Sequence, residues 1–405
     1  MDPRDLVNAI DEKAALEFLA EMVRFKSYSA TPGESELSRH MVARMAELGM
    51  QAELQDVEPG RYNAIGRLRG AGGGQSLLFN GHLDTNPATS GWTVDPWGGL
   101  YDDDFIYGIG VSNMKAGDAA CFWALKTLLD AGIRLRGDVI LTYVVGELQG
   151  GIGSVRAMES GLRADHFINA EPTDLAGLTL HAGSLHFEIE LQGVTRHLSK
   201  REQAVDAIAA ACVLVPRIDA MEFSGAANDA HRSVNRGHVG VLHGALGPEL
   251  HDWRPPQVAD FVRLAGSARY SPSQSLEGAL ADLRALLDAL ECEFPGLKCT
   301  VRRQGDPARP AMGPFEVAHD ARIVQVVSAA HQRVRGAAQA LGPVKPYCFY
   351  GTDAAHLQRL GGIPGIVCGP GGRYNTMPDE RVDVADFLDA IRIYLLALID
   401  ICAVA

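Results

Sequence analysis

The stretch Val139–Val145 reads Val-Ile-Leu-Thr-Tyr-Val-Val, with no charge and a majority of β-branched side chains. Such a run has no polar face to offer water, so it suits a central parallel strand covered on both sides. Helical patterns surround it. Ala15, Phe18, Leu19, Met22 and Val23 share one helix face, as do Leu37, Met41, Met45 and Leu48 before Gly49 ends the second helix. Leu77–Phe79 is a shorter apolar run stopped by Asn80-Gly81. A helix follows Asn113 with Cys121, Ala124, Leu125, Leu128 and Leu129 on its buried stripe, and His166–Ala170 is a third short strand. Strands alternating with helices up to about residue 180 predict an α/β fold with a mostly parallel sheet.

The texture then changes. Phe187–Leu191 alternates like a half-exposed strand, and Ser199 opens a helix carrying Ala204, Ala207, Ile208, Ala211 and Cys212. A Pro-rich stretch around Arg254-Pro255-Pro256 leads to a helix near Leu276–Leu290 and a strand at Cys299–Arg303. Strand–helix–strand–helix–strand of this size predicts a small two-layer α+β domain. After Pro307-Ala308-Arg309-Pro310 the α/β pattern resumes, with a helix near Ile323–Val334, an apolar run Gly365–Cys368 and a last helix bearing Leu388, Ile391, Leu395 and Leu398. The expected division is therefore residues 1–180 with 307–405, and an inserted domain over 181–306.

Composition narrows the function. The 405 residues are 47% hydrophobic and 21% charged, ordinary for globular protein. A formal net charge of −13 argues against a nucleic-acid partner, which would want a basic face. No apolar stretch is long enough for a membrane helix. Charges from Asp2 to Lys13 exclude a secretory leader, and seven cysteines without a CxxC suit reduced thiols, so a cytoplasmic location is expected. The glycines of 70–74 lack the Lys-Ser/Thr of a phosphate loop.

In an open α/β sheet, ligands bind beyond the carboxyl ends of the strands. The loops there carry Gly81-His82-Leu83-Asp84-Thr85, Gly146-Glu147-Leu148-Gln149-Gly150-Gly151 and Asn169-Ala170-Glu171-Pro172. An imidazole and a carboxylate at strand ends can hold a transition metal, while another carboxylate takes a proton from the metal's water. His82 and Asp84 are two apart and point the same way on an extended backbone. The Asp84 carboxylate is thus expected to hydrogen-bond the far ring nitrogen of His82.

The series GHLDT, WTVDPWGG, YGIGVSNMKAGDAA, GELQGGIGS and NAEPT, continued by GVTRH, Gly351-Thr352-Asp353 and GIPGIVCGPGG, resembles the aminoacylase / acetylornithine deacetylase / glutamate carboxypeptidase family of metallopeptidases. The resemblance covers almost the whole chain. It implies a phosphorylase/hydrolase-like catalytic domain with an inserted lid or dimerisation domain, and hydrolysis of C–N bonds in small substrates, usually ones bearing a carboxylate. His82 and Glu171 are then implied as metal ligands, Asp84 as the partner of His82, and Glu147 as general base. His197 matches the family's lid histidine, which reaches the partner subunit's active site. Arg269 aligns loosely with an arginine near the end of the lid, and Tyr350 and Asn375 complete the implied substrate contacts.

Where the chain departs from the pattern, it does so in one place. Relatives that bind two metals bridge them with an aspartate, here Asn113, and complete the second shell with a glutamate after the base, here Leu148. Their late histidine falls in the stretch Asn375-Thr376-Met377-Pro378-Asp379-Glu380. All three losses strike the second metal. The expectation is one divalent transition metal per chain (Mn, Zn, Co or Fe), bound weakly by His82, Glu171 and the neutral amide oxygen of Asn113. Two reactions compete: deacylation or dipeptide cleavage, and removal of ammonia from an aminobenzoate such as 5-nitroanthranilate. A non-catalytic binding relative is the reading from another class, and intact Glu147 argues against it. A cysteine hydrolase fails because no Cys shares a motif with His and Asn/Asp. A homodimer or higher homo-oligomer through the inserted domain is expected.

Overall fold

A computed structural model describes residues 2–251 and 256–405. Most of the Pro-rich stretch at Arg254-Pro255-Pro256 lies outside those residues. Along the chain the main strands are β1 (Gln51–Glu58), β2 (Arg61–Leu68), β3 (Leu77–His82), β4 (Val139–Val144), β5 (His166–Asn169), β6 (Gly177–Leu178), β7 (Gly183–Gln192), β8 (Arg236–Ala245), β9 (Phe261–Tyr270), β10 (Lys298–Arg303), β11 (Leu341–Gly342) and β12 (Gly365–Val367).

The chain forms two compact units. The first holds residues 1–180, 315–347 and 352–405, and the second holds 181–314 and 348–351. Two segments that the sequence pattern assigns to the first unit, the run to Pro314 and Cys348–Gly351, pack with the second. Backbone hydrogen bonds place them there: Ala182 N donates to Cys348 O at 2.9 Å and Ser184 N to Met312 O at 2.9 Å.

In the first unit one eight-stranded sheet runs β1-β2-β4-β3-β5-β12-β6-β11. Its centre is parallel: β3 lies between β4 and β5, and β12 extends the row beyond β5. Every residue of β3, β4 and β5 is buried, which is why these strands read as apolar runs instead of alternating ones. The helix Ala116–Asp130 and the last helix Val384–Cys402 are buried over most of their circumference. The hairpin β1–β2, absent from the sequence reading, adds an antiparallel edge. β1 alternates only between exposed and half-exposed positions, so no apolar stripe marks it.

The second unit is a four-stranded antiparallel sheet, β8-β9-β7-β10, backed by the helices Ala207–Asp219 and Leu276–Glu293. Its core joins Phe187, Ile189 and Leu191 of β7 to Ala210, Leu214, Leu283 and Leu287 of the helices. The two-layer character matches the expectation; the element order does not. Two consecutive strands, β8 and β9, stand where one was expected, because Gly237, Gly240 and Gly244 dilute the pattern of β8, which lies largely exposed at the sheet edge. The helix expected from Ser199 starts at Ala207 instead. Asp206 caps it by accepting from Ala209 N at 3.0 Å, and Leu198–Gln203 forms a separate 3-10 turn. No helix among the described residues is long and apolar enough to cross a membrane.

Candidate functional site

The carboxyl ends of β3, β4 and β5 lie side by side, and each delivers one chemical group. His82 is the last residue of β3, paired with Val144 of β4, while Glu147 and Glu171 sit in the loops beyond β4 and β5. One ligand atom from each of His82, Glu147 and Glu171 lies within 4.8 Å of the others. His82 and Glu171 are buried and Glu147 is half-buried.

The ring nitrogens of His82 have different surroundings. Nδ1 is 2.8 Å from the backbone oxygen of Asp84. A carbonyl can only accept, so Nδ1 carries the hydrogen. Nε2 faces oxygen alone: Asn113 Oδ1 at 3.1 Å and Glu171 Oε1 at 3.5 Å. A nitrogen so placed needs either a proton or a cation between itself and those oxygens.

The expected contact between the Asp84 carboxylate and His82 gives way to this backbone bond. The carboxylate is 3.7 Å from Nδ1 and is engaged elsewhere. Its Oδ1 accepts from Gly146 N at 3.0 Å and Glu147 N at 3.2 Å, and its Oδ2 from Leu148 N at 3.3 Å and Ser29 Oγ at 3.0 Å. Four donors hold the carboxylate, so it is the Asp84 carbonyl that takes the hydrogen of the ring. Asp84 therefore holds the turn that carries Glu147.

That turn is a single 3-10 segment, Glu147–Gln149, bracketed by glycines of positive φ. At Gly151 (φ 77°) a Cβ would collide with Asp353 Oδ1, and at Gly81 one would collide with Asp118 Oδ1. Glycine at each position lets a buried carboxylate approach closely. The sequence reading gave neither aspartate a role. Asp353 lay in view within Gly351-Thr352-Asp353, and Asp118 within the run that follows Asn113. Both oxygens of Asp118 and Oδ1 of Asp353 are buried without a hydrogen-bonding partner among the described residues.

The electrostatics follow. Burial opposes charge on His82, but Glu171, Asp84, Glu147 and Asp118 outweigh it and raise its pKa to about 10. Burial, then the charge of Glu171, lifts Glu147 well above the usual carboxylate range. Burial also raises Glu171, and it raises Asp353 to about 7. Carboxylates crowded around one imidazole, some with unsatisfied oxygens, fit a divalent cation.

At the positions where the sequence resemblance leads one to expect a second metal's ligands, Asn113 offers an amide and Leu148 is an exposed apolar side chain. Asn375 and Thr376 are half-buried and exposed respectively. None of these is a carboxylate or imidazole. Buried Glu380 accepts from Ser112 N at 2.9 Å and Asn113 N at 3.1 Å, so it fixes the backbone beside the cluster.

The other three expected site residues belong to the second unit. His197 is exposed at the start of the 3-10 turn, with Nδ1 2.8 Å from Ser199 Oγ. Arg269 on β9 donates to Phe349 O at 2.5 Å, Ser184 Oγ at 2.7 Å and Ser267 Oγ at 2.6 Å. Tyr350 is half-buried in the segment that Arg269 contacts. Burial and the charge of Arg236 lower the proton affinity of Arg269.

Comparison with known proteins places the chain in a family. Residues 78–400 match the model of peptidase family M20/M25/M40. The chain is 25% identical over 386 residues to N-formyl-4-amino-5-aminomethyl-2-methylpyrimidine deformylase of Bacillus subtilis, covering 88% of this chain and 87% of the relative. It is 27% identical over 387 residues to the acetylornithine deacetylase of Erwinia tasmaniensis, covering 91% and 93%. Among solved structures, a Staphylococcus aureus tripeptidase superposes with a TM-score of 0.76 at 21% identity, covering 97% of this chain and 99% of that one. The aminopeptidase PepT of Bacillus cereus also gives 0.76, at 18% identity, covering 96% and 99%. The chain belongs to peptidase family M20/M25/M40, and is a hydrolase acting on C–N bonds.

Proposed function

We propose that this chain hydrolyses a C–N bond of a small carboxylate-bearing substrate, using one divalent cation held by His82 and Glu171 and using Glu147 as general base. The observation that carries the reading is the convergence of one ligand atom each from His82, Glu147 and Glu171 within 4.8 Å. A bound cation would acidify a water and polarise the scissile centre. Glu147, whose burial beside Glu171 raises its proton affinity, would accept a proton from the attacking water on its carboxylate and hand it to the departing nitrogen. Asp84 keeps the His82 ring in the tautomer that leaves Nε2 free to ligate. Asn113 sets a neutral oxygen beside that nitrogen. Arg269 has no carboxylate partner among the described residues, which supports a role in receiving the substrate's carboxylate. Tyr350 and Asn375 are proposed to contact the substrate as well.

Two leaving groups fit. The deformylase and deacetylase relatives favour loss of an acyl group. The thin ligand set favours an aromatic aminohydrolase, because an ortho-aminobenzoate such as 5-nitroanthranilate can chelate a cation that the protein leaves open. The donor set suits Mn, Zn, Co or Fe. Screening acyl-amino acids and aminobenzoates with Mn, Co and Zn, while measuring released ammonia, amine and acid, separates the two. Elemental analysis of protein loaded with metal and ligand and then desalted is expected to give close to one metal per chain. A value near two overturns the one-metal reading.

A homodimer through the second unit is part of the same proposal. β8 is an edge strand and exposes Val241 and Leu242, at 45% and 43%, a surface suited to a like copy. His197 is then proposed to serve the partner's site. Co-expressing His197→Ala and Glu147→Gln chains leaves one of the two sites of a mixed dimer whole, so about half of wild-type activity is expected per mixed dimer. Verified mixed dimers that stay inactive count against action across subunits.

A further inference from the structure

The 3-10 turn that carries Glu147 is joined to the rest of its chain by glycine at either end. Gly146, Gly150 and Gly151 have φ values of 75°, 88° and 77°, and residues without a Cβ resist rotation least. Where the turn sits therefore depends on bonds made to it from outside. Asp84 supplies them at the first end, through the N–H groups of Gly146, Glu147 and Leu148. In the middle, Arg61 Nη1 donates at 2.5 Å to the side-chain oxygen of Gln149. The far end has a support of its own. His356 Nε2 lies 2.8 Å from the carbonyl oxygen of Gly150, and nothing in the mechanism above uses this residue.

Several observations fit His356 to this contact. It is fully buried and is the third residue of the helix Ala354–Gly361, so its ring is mounted on a rigid element. A Cβ at Gly151 would come within 2.8 Å of Nε2, so glycine there lets the ring reach the turn. A carbonyl only accepts, so Nε2 carries the hydrogen. Nδ1 is buried with no hydrogen-bonding partner among the described residues, which leaves a second proton unsupported. Burial accordingly lowers the pKa of the ring to about 4. The donor is thus uncharged around neutral pH. A lysine or arginine in its place would bring positive charge toward Glu147, stabilise the carboxylate and reduce the proton affinity that a base needs.

We propose that His356 is a positioning residue for Glu147, its N–H bond to Gly150 O fixing the far end of the turn. With Asp84 and the Arg61 contact alone, the turn could rotate about Gly150 and Gly151. The Glu147 carboxylate would then leave its place beside His82 and Glu171, and a proton acceptor out of place is slow. The catalytic purpose rests on the reading of Glu147 as general base; the bracing of the turn does not.

The test compares full-length, Mn-loaded wild type with His356→Phe and His356→Gln. Phenylalanine keeps a ring of similar size without a donor, whereas the amide of glutamine can place an N–H where Nε2 was. Amide hydrogen exchange is followed on peptides, beside kcat, KM and metal content with the acyl-amino acid or aminobenzoate that wild type hydrolyses. His356→Phe is expected to speed exchange across residues 146–151 by about tenfold, the range of one hydrogen bond, with β3 and β4 unchanged. Its kcat should fall by about 10- to 100-fold, up to the effect of a misplacement of about 1 Å, with KM and metal content unchanged. The ratio to wild type should not vary with pH, because an uncharged donor titrates nothing, and His356→Gln should restore both exchange and kcat. Should the phenylalanine chain not fold, His356→Met, unbranched and equally without a donor, takes its place. A donor-less chain with wild-type kcat overturns the positioning role. A His356→Gln chain as slow as His356→Phe assigns the defect to loss of the imidazole and overturns the bond. If exchange of the turn quickens in His356→Phe and wild type hydrolyses no substrate, the hydrolase reading falls and the brace stands. If acyl-amino acids are hydrolysed and His356→Phe changes neither kcat nor exchange, the reverse holds.

Discussion

Glu147→Gln should lower kcat by about 10²–10⁴-fold, the range a positioned general base supplies, while leaving metal binding close to wild type. Glutamine keeps the size of the side chain and the backbone N–H that donates to Asp84 Oδ1 at 3.2 Å. What it loses is the ability to accept a proton. His82 and Glu171 remain as ligands, so metal content after desalting should match wild type. The same experiment with His82→Ala should show the opposite pattern, with metal lost first and activity lost as a consequence. Single-turnover assays with measured metal occupancy separate the two. A Glu147→Gln enzyme retaining more than about a tenth of wild-type kcat at full occupancy would show that another group takes the proton, and buried Asp353 would be the next candidate.

Metal affinity should rise with pH, by about tenfold per pH unit for each proton displaced. The sign follows from His82. In the metal-free protein the surrounding carboxylates overcome burial and hold its pKa near 10, so between pH 6 and 8 the ring carries a proton on the nitrogen that faces Glu171 and Asn113. A cation must displace that proton to bind. Raising the pH through this window removes the competitor, so affinity for Mn should be about 100-fold greater at pH 8 than at pH 6. Asp353, raised by burial to about 7, steepens the dependence if it also deprotonates on binding. Calorimetric titrations at pH 6, 7 and 8, in buffers of different ionisation enthalpy, give the affinity and the proton count together. An affinity independent of pH, with no proton released, would mean that Nε2 is not a ligand.

The parts of this site that were legible in the sequence sit at the ends of apolar runs. His82 ends, and Glu147 and Glu171 follow, a strand whose residues are all buried, and such strands announce themselves without side-chain alternation. Asp118 and Asp353 were not legible in that way. One lies within the helix Ala116–Asp130 and the other directly precedes the helix Ala354–Gly361, and only packing brings them under the loops at Gly81 and Gly151. The hairpins were hidden for a related reason. β1 and β8 lie at sheet edges, where water substitutes for apolar neighbours and the hydrophobic period fades. The partner of His82 was misread because sequence spacing gives separation along the chain, whereas the backbone N–H groups of the Glu147 turn, distant in sequence, claim the Asp84 carboxylate and leave its carbonyl to the ring.

Asp84 speaks to the ligand through its main chain and to the base through its side chain. These two attachments share one Cα, so a displacement of this residue carries the imidazole and the Glu147 turn together, as one body. The spacing between the group that holds the cation and the group that receives the proton is therefore preserved when the rim of the sheet breathes. Conversely, Asp84→Ala would cut only the second attachment. It should leave a protein that still loads metal but whose base wanders, with the larger damage falling on kcat.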